Sequence, residues 1–74
     1  MVFKQKGEIK NMPMSDMLKK LRGDATQETV ARAVGVTKSA WAMYERGERV
    51  PRDEVKIKIA EYFNRTVQEI FFGQ

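Results

Sequence analysis

The residues best suited to chemistry in this chain are concentrated in one segment, GVTKSAWAMYERG, residues 35–47. Lys38 and Ser39, which can both form hydrogen bonds, stand just before the only tryptophan, Trp41. The 74 residues include no histidine and no cysteine, so the commonest general base, the commonest metal ligand and any disulfide are absent. The carboxylates alternate with lysines and arginines, and no pair is set apart for acid–base work. We therefore expect no enzyme activity, no catalytic residue, no metal site and no cofactor.

Composition narrows the class of protein further. Apolar residues make up 42% of the chain and charged residues 32%, which is typical of one small globular domain. The formal net charge of +4 favours a polyanionic partner such as nucleic acid. The sequence has no apolar stretch of about 18 residues, and its start, MVFKQKGEIK, lacks the apolar region of a signal peptide. We expect a cytoplasmic protein with no membrane partner and no evident small-molecule substrate.

Turn and cap residues divide the chain into helical runs. Residues that tolerate a left-handed backbone follow four of these runs: Gly23, Gly35, Gly47 and Asn64. Residues whose side-chain oxygen can cap a first turn precede five runs: Ser15, Thr26, Thr37, Asp53 and Thr66. Thr66 and Glu69 also fit a capping box. The pattern predicts an all-α fold with helices over residues 16–22, 27–34, 38–46, 54–63 and 67–72.

Each predicted helix has one apolar face, and the first residues of the chain differ from the rest. Apolar residues recur at helical spacing: Met14, Met17, Leu18 and Leu21; Val30, Ala33 and Val34; Val55, Ile59, Tyr62 and Phe63; Val67, Ile70 and Phe71. Helices this short need to pack on one another. We therefore assign residues 14–74 to one helical domain. Residues 1–13 remain open between a flexible tail, a short β-hairpin docked on the helices and a basic arm that follows DNA.

The predicted helix 38–46 has two different sides, because a helix turns by 100° per residue. One side carries Ala40, Trp41 and Tyr44, and we interpret the two rings as the anchor that fixes this helix to the body of the domain. The other side carries residues that are small, polar or cationic: Lys38, Ser39, Ala42, Met43 and Arg46. Lysine suits guanine acceptors, serine suits donors or acceptors, and alanine or methionine suits a thymine methyl. This side is therefore suited to the major groove of DNA.

The segment TQETVARAVGVTKSAWAMYERGERVP, residues 26–51, resembles the helix-turn-helix of the phage repressor and Cro family, also called the xenobiotic-response-element family. The matching positions are the opening glutamine, the small residue at the helix crossing, the turn glycine, the apolar turn residue and the cap: Gln27, Ala31, Gly35, Val36 and Thr37. The tail DEVKIKIAEYFNRTVQEIFF resembles the fourth and fifth helices of that family. The resemblance covers about residues 15–72. It implies a five-helix, lambda-repressor-like domain with its helix-turn-helix at about 27–46.

The resemblance also implies the roles of single residues. Those that would face base edges are Lys38, Ser39, Ala42 and Met43. Those that would contact the DNA backbone are Gln27, Thr37, Arg46, Arg49 and Arg52. Gln27 would also steady the start of the recognition helix. The alternatives are a solvated loop for Arg49 and Arg52, partial packing for Met43, and a merely solvated first turn for Lys38.

The region before the motif departs from the family pattern in one respect. The connection RGDA, between Leu21 and Thr26, is about two residues shorter than usual. The family pairs an arginine late in its first helix with a glutamate at the position of Glu45. Arg22 or Lys20 could supply that partner, and we favour Arg22.

The function that this resemblance implies is regulation of transcription. We expect a bacterial or phage repressor that binds double-stranded DNA at a palindromic operator as a homodimer. The dimer contact would come from Phe71 and Phe72, or from Val2, Phe3 and Ile9. The alternative is a protein-interaction module of the same fold, such as an antitoxin or a coactivator-like adaptor. A structural domain without a ligand is a third interpretation.

Overall fold

The computed structural model describes residues 12–72, which form five α-helices and no strands. The helices are α1 (Met14–Arg22), α2 (Gln27–Val34), α3 (Lys38–Glu45), α4 (Asp53–Phe63) and α5 (Val67–Phe71). This is the all-α, five-helix fold that the sequence predicts, and the predicted C-terminal ends of the helices differ from the observed ones by one residue at most. No helix in residues 12–72 is long and apolar enough to cross a membrane. The three alternatives for residues 1–13 concern a segment that lies, up to residue 11, outside the described residues.

Three of the five predicted helix caps are confirmed. The Oγ1 atoms of Thr26, Thr37 and Thr66 each accept a hydrogen bond of 3.0 Å from the backbone N–H three residues later. Glu69 completes the predicted capping box, because its Oε1 accepts the backbone N–H of Thr66 at 2.9 Å. Local rules are sufficient at these positions, since a threonine oxygen satisfies an amide that its own helix leaves unpaired.

The predicted caps at Ser15 and Asp53 are wrong. The cap of α1 is Pro13, so the helix begins two residues earlier than predicted and Ser15 lies in its first turn. Proline is compatible with this place because its fixed φ suits a helix start and the position needs no N–H donor. The cap of α4 is Arg52, and Asp53 is the first helical residue. There the carboxylate still favours the helix through the dipole of its N-terminus.

The turn between α2 and α3 depends on Gly35. Its φ of 79° and ψ of 28° are left-handed, a conformation that glycine adopts without strain. The backbone N–H of Val36 then donates to the carbonyl of Ala31 at 2.9 Å, which closes the C-terminus of α2. Because Thr37 caps α3 only two residues after Gly35, the two helices of the motif are joined by a short, hydrogen-bonded turn.

The five helices surround one small core. Helix α3 packs on α1 and α2, α4 packs on α2 and α5, and α5 also contacts α1. The buried apolar residues are Leu18, Val30, Ala31, Val34, Trp41, Tyr44, Ile59, Ala60 and Ile70. Two predicted core positions, Ala33 and Tyr62, are instead exposed. Both lie about 100° around their helices from the centre of the buried residues, so the apolar faces of α2 and α4 are narrower than the sequence suggests.

Candidate nucleic-acid interface

The inner side of α3 is held by its two aromatic residues, as the sequence predicts. Trp41 and Tyr44 are both buried, and their rings meet edge to face with centroids 6.0 Å apart. The ring of Trp41 also packs against Phe63 of α4, with centroids 6.5 Å apart. Edge-to-face aromatic pairs add to the stabilisation that burial gives. These rings therefore fix how far α3 can rotate about its axis.

The last residue of α3 has a buried carboxylate that accepts four hydrogen bonds. Glu45 is 3% exposed. It accepts hydrogen bonds from Arg22 Nε at 2.6 Å and Nη2 at 3.1 Å, from Gln27 Nε2 at 3.0 Å and from Trp41 Nε1 at 2.5 Å. We call these four residues the Glu45 cluster. Since Arg22 ends α1 and Gln27 begins α2, the cluster joins three helices at one point.

The electrostatics of the Glu45 cluster favour the ionised carboxylate. Burial alone would raise the pKa of Glu45, but the hydrogen bonds from Arg22, Gln27 and Trp41, with the positive charge of Arg22, together lower it below 4.5. The same hydrogen bond, which Arg22 donates to Glu45, raises the pKa of Arg22 above its already high ordinary value. The cluster therefore holds a charged pair, and each donor offsets part of the cost of removing the carboxylate from water.

The predicted partner of Glu45 is confirmed as Arg22, and one detail predicted for Gln27 is wrong. The Arg22 guanidinium also donates from Nη1 to the carbonyl of Ala25 at 2.6 Å, so one side chain braces the short connection between α1 and α2. The side-chain amide of Gln27 holds Glu45, the last residue of α3, and not the start of that helix. The cause is the crossing of the two helices, which brings the first residue of α2 to the end of α3. Its predicted contact with the DNA backbone stays a prediction.

The outer side of α3 holds the residues that we expect to face bases. Lys38 and Ser39, in the first turn, are exposed, whereas Ala42 and Met43 are partly buried. Lys38 makes no ion pair within 4.0 Å among the described residues. The four side chains therefore share one surface of α3 with a cation near its N-terminus, where the helix dipole also favours an anion.

The residues that we expect to contact the DNA backbone flank that surface. Thr37 is exposed at the N-terminus of α3, where its side chain serves as the cap. Arg46 is exposed and forms a two-bond pair with Glu48, with distances of 3.0 Å and 3.1 Å. This contact raises the pKa of Arg46 and lowers that of Glu48. Arg49 and Arg52 are exposed in the connection between α3 and α4.

One cationic residue near this surface was not identified from the sequence. Lys58 of α4 lines a cleft of about 360 Å³ together with Thr37, Arg49 and Arg52. Its Nζ lies 3.6 Å from the place that a Cβ on Gly35 would occupy, so it reaches the turn of the motif. No local pattern could have identified Lys58, because the arginines that share the cleft with it, Arg49 and Arg52, are at least six residues away in sequence.

The arrangement can bind an extended anion without any chemical step. Residues 12–72 contain no group of three or more histidine, cysteine, aspartate or glutamate side chains that could hold a metal ion. Cationic side chains are instead distributed along α3, the connection after it and α4, beside the polar first turn of α3. Such a surface matches the regular spacing of phosphates along a nucleic acid better than it matches a compact substrate.

Comparison with known proteins gives one match. A family model described as helix-turn-helix, of the Cro/C1 type, matches residues 17–70. The match includes all of α2, α3 and α4 and most of α1 and α5. Neither the curated proteins nor the solved structures yield a match to the chain.

Proposed function

Because the chain belongs to the Cro/C1-type helix-turn-helix family, whose members are DNA-binding regulatory domains and not enzymes, we propose that it is a transcriptional repressor. It binds a palindromic operator in double-stranded DNA as a homodimer and excludes the polymerase. Helix α3 is the recognition helix. A bacterial or phage source and a cytoplasmic location accord with this role.

The observation that carries the proposal is the contrast between the two sides of α3. Its inner side is fixed by buried rings and by the Glu45 cluster, while its outer side leaves Lys38 and Ser39 exposed. A major groove admits one helix and offers donors, acceptors and methyl groups to its first turns. A rigidly held helix can lie in this groove at a fixed angle. Because the outer residues of α3 are small, polar or cationic, they can meet the donors, acceptors and methyl groups of the bases.

The flanking cations supply the part of binding that does not depend on sequence. Arg46, Arg49 and Arg52 follow α3 and would contact phosphates on either side of the groove. Gln27 would add a contact from α2: its Nε2 has two hydrogens and the bond to Glu45 uses one of them. Backbone contacts of this kind fix the position of the domain on the duplex, and base contacts set its sequence preference.

Dimerisation follows from the small size of the interface. One helix with four base-facing residues makes too few contacts for tight specific binding, and two copies on half-sites about 34 Å apart would double them. Of the two phenylalanines predicted for this contact, Phe72 is 57% exposed, and Phe71 is partly buried against the core. The other predicted surface, Val2, Phe3 and Ile9, lies outside the described residues.

The proposal is tested by selecting binding sites from random duplexes at two salt concentrations. We expect a two-fold symmetric consensus, and an affinity that falls steeply with salt as about 6 to 10 phosphate contacts release counterions. The variant Lys38→Ala should relax base preference at one position of each half-site by about 1 to 3 kcal/mol. Arg49→Ala should instead weaken all sequences alike.

Two results would count against this assignment. If no sequence is enriched and duplex binding does not depend on salt, DNA is not the ligand, and the protein-interaction alternative gains support. If Lys38→Ala and Arg49→Ala act in the same way on selected and random duplexes, the protein binds DNA but the roles given to these residues are wrong. A consensus without two-fold symmetry would remove the homodimer from the proposal.

A further inference from the structure

The cleft that contains Lys58 has the composition of an anion site. We call it the α4 cleft. It lies between the turn of the motif, the start of α3 and the first half of α4, with a volume of about 360 Å³. Its lining includes the apolar residues Val36, Ala40 and Val55 and the cationic residues Arg49, Arg52 and Lys58. The volume is within the range of small-ligand sites in proteins.

The three cationic residues of the α4 cleft form no ion pair in the described part of the chain, whereas most other arginines of the domain do. Arg49, Arg52 and Lys58 make no ion pair within 4.0 Å among residues 12–72. Elsewhere the guanidinium groups of Arg22, Arg32 and Arg46 each have a glutamate partner. Like charges that line one concave surface repel each other, and an anion placed among them relieves that repulsion. The three unpaired cations therefore indicate a ligand of negative charge.

The side chain of Lys58 reaches from α4 to the turn of the motif. Its ammonium group lies beside Gly35, at the C-terminal end of α2, where the helix dipole favours a positive charge. Lys58 and Gly35 both line the cleft. The only carboxylate that lines the α4 cleft, within the described part of the chain, is Glu54, one helical turn before Lys58. Its negative charge limits the affinity for an anion and does not neutralise the three cations.

We propose that the α4 cleft binds a phosphate group through Lys58, Arg49 and Arg52. The site deepens the proposed function, on which it rests in part, because a phosphodiester of the bound duplex is one source of that group. A free phosphate compound is the other source. Thr37 and Ala40 also line the cleft, so a phosphate bound there lies next to the start of α3. Occupation by a free phosphate compound would then compete with the DNA backbone for Arg49 and Arg52.

The first arm of the test asks whether DNA supplies the phosphate. The affinity of Lys58→Gln for a selected duplex is measured over a series of salt concentrations, with Lys19→Gln as the matched control. Lys19 is an exposed lysine of α1 without an ion pair to any described residue, and it lies outside the cleft. One lost phosphate contact should lower the slope of log affinity against log salt by about 0.9 in Lys58→Gln alone. Lys58→Arg, which keeps the charge, should restore the slope.

The second arm of the test asks whether a free phosphate compound supplies the phosphate group. Inorganic pyrophosphate is added to the protein without DNA, and the backbone amide signals of Gly35, Val36 and Thr37 are followed by NMR. Saturable shifts that disappear in Lys58→Gln and strengthen in Glu54→Gln would assign the site to free phosphate compounds. Thermal unfolding of each variant shows whether it is folded at the temperature of the titration.

The proposal is overturned if Lys58→Gln and Lys19→Gln have the same salt slope and pyrophosphate causes no saturable shift. This failure differs from that of the proposed function, because the wild-type protein would still select a duplex sequence. A lower salt slope in Lys58→Gln, without shifts from pyrophosphate, supports the site with DNA as the source of the phosphate group. Shifts without a change of slope support it with a free phosphate compound as its source.

Discussion

Two neighbouring residues, Glu45 and Arg46, each take part in an arginine–glutamate pair, and the two pairs have opposite surroundings. In the first pair Glu45 is 3% exposed and accepts four hydrogen bonds from three side chains. In the second pair the side chains of Arg46 and Glu48 are 56% and 54% exposed, and two hydrogen bonds join them. The same chemical groups thus stand at the end of α3, once inside the domain and once on its surface.

The difference shows how burial determines the role of a charged pair. The buried carboxylate has lost its water, so every donor around it is needed, and removal of one leaves a charge without compensation. The exposed pair keeps its water and is screened by salt, so it contributes little to folding. For the same reason Arg46 can exchange Glu48 for a phosphate at small cost. We infer that the first pair serves the fold and the second is available for a ligand.

The strongest test of these different roles is to truncate the two glutamates, Glu45 and Glu48, separately. Glu45→Ala should lower the free energy of unfolding by about 3 kcal/mol, the lower end of the range for breaking a buried pair, because Arg22 is 21% exposed. Glu48→Ala should leave the urea midpoint unchanged. Urea unfolding followed by circular dichroism measures both. Equal effects of the two variants would contradict the assigned roles.

A smaller effect is expected when one donor of the Glu45 cluster is removed. Trp41→Phe keeps an aromatic ring in the core but takes away the N–H that Glu45 accepts. It should cost about 2 kcal/mol, because a buried charge loses one of its hydrogen bonds. Tyr44→Phe is the control, since it changes a buried ring that has no part in the cluster. If Trp41→Phe costs no more than Tyr44→Phe, the hydrogen bond from the indole N–H to Glu45 contributes nothing to stability.

The pH dependence of folding also distinguishes the buried pair, Arg22–Glu45, from the exposed pair, Arg46–Glu48. The pKa of Glu45 is lowered in the folded state, so the cluster contributes stability above about pH 4.5 that is lost as the pH falls through the folded value. The wild-type protein should therefore lose stability in acid, and Glu45→Gln should show a flatter profile. The lowered pKa of Glu48 acts in the same direction, but this exposed contribution should vanish in high salt. Unfolding profiles at two ionic strengths would test both statements.

The smallest effect on folding, and a clear effect on binding, is expected from Glu48→Gln. It frees Arg46 without changing the shape of the side chain at position 48, so the urea midpoint should not move. Affinity for duplex DNA should rise, because a carboxylate no longer competes with phosphate for the guanidinium group. Glu28→Gln is the matched control, since it frees Arg32 from an exposed pair on α2. If both variants raise the affinity equally, the gain reflects net charge and not the position of Arg46.

The parts of the fold that the sequence predicts correctly depend on local rules or on one repeated spacing. Thr26, Thr37 and Thr66 were predictable as caps because each oxygen bonds an amide only three residues away. The burial of Trp41 and Tyr44 followed from the 100° turn of a helix. Arg22 as the partner of Glu45 came from the family resemblance, because no local rule connects residues 23 positions apart.

The parts that the sequence could not predict depend on how whole helices cross. Local preference ranks Ser15 above Pro13 as a cap, and the structure reverses that order. Gln27 meets the end of α3 because α2 crosses it, which no spacing within either helix reveals. Lys58 reaches the turn at Gly35 through the packing of α4 on α2, so its place in the cleft is a tertiary property. The contacts of single residues with DNA remain predictions for the experiments above.

The buried indole has a practical consequence for all of these experiments. Trp41 is the only tryptophan of the chain, so intrinsic fluorescence excited at its absorption band reports on one location, the junction of three helices. An indole shielded from water emits at a shorter wavelength than a hydrated one. Because Trp41 is fully buried and lies about 160° around α3 from Ser39, a ligand at the outer surface does not touch the fluorophore. A spectral change during a DNA titration would therefore reveal movement of α3 within the domain, without a label.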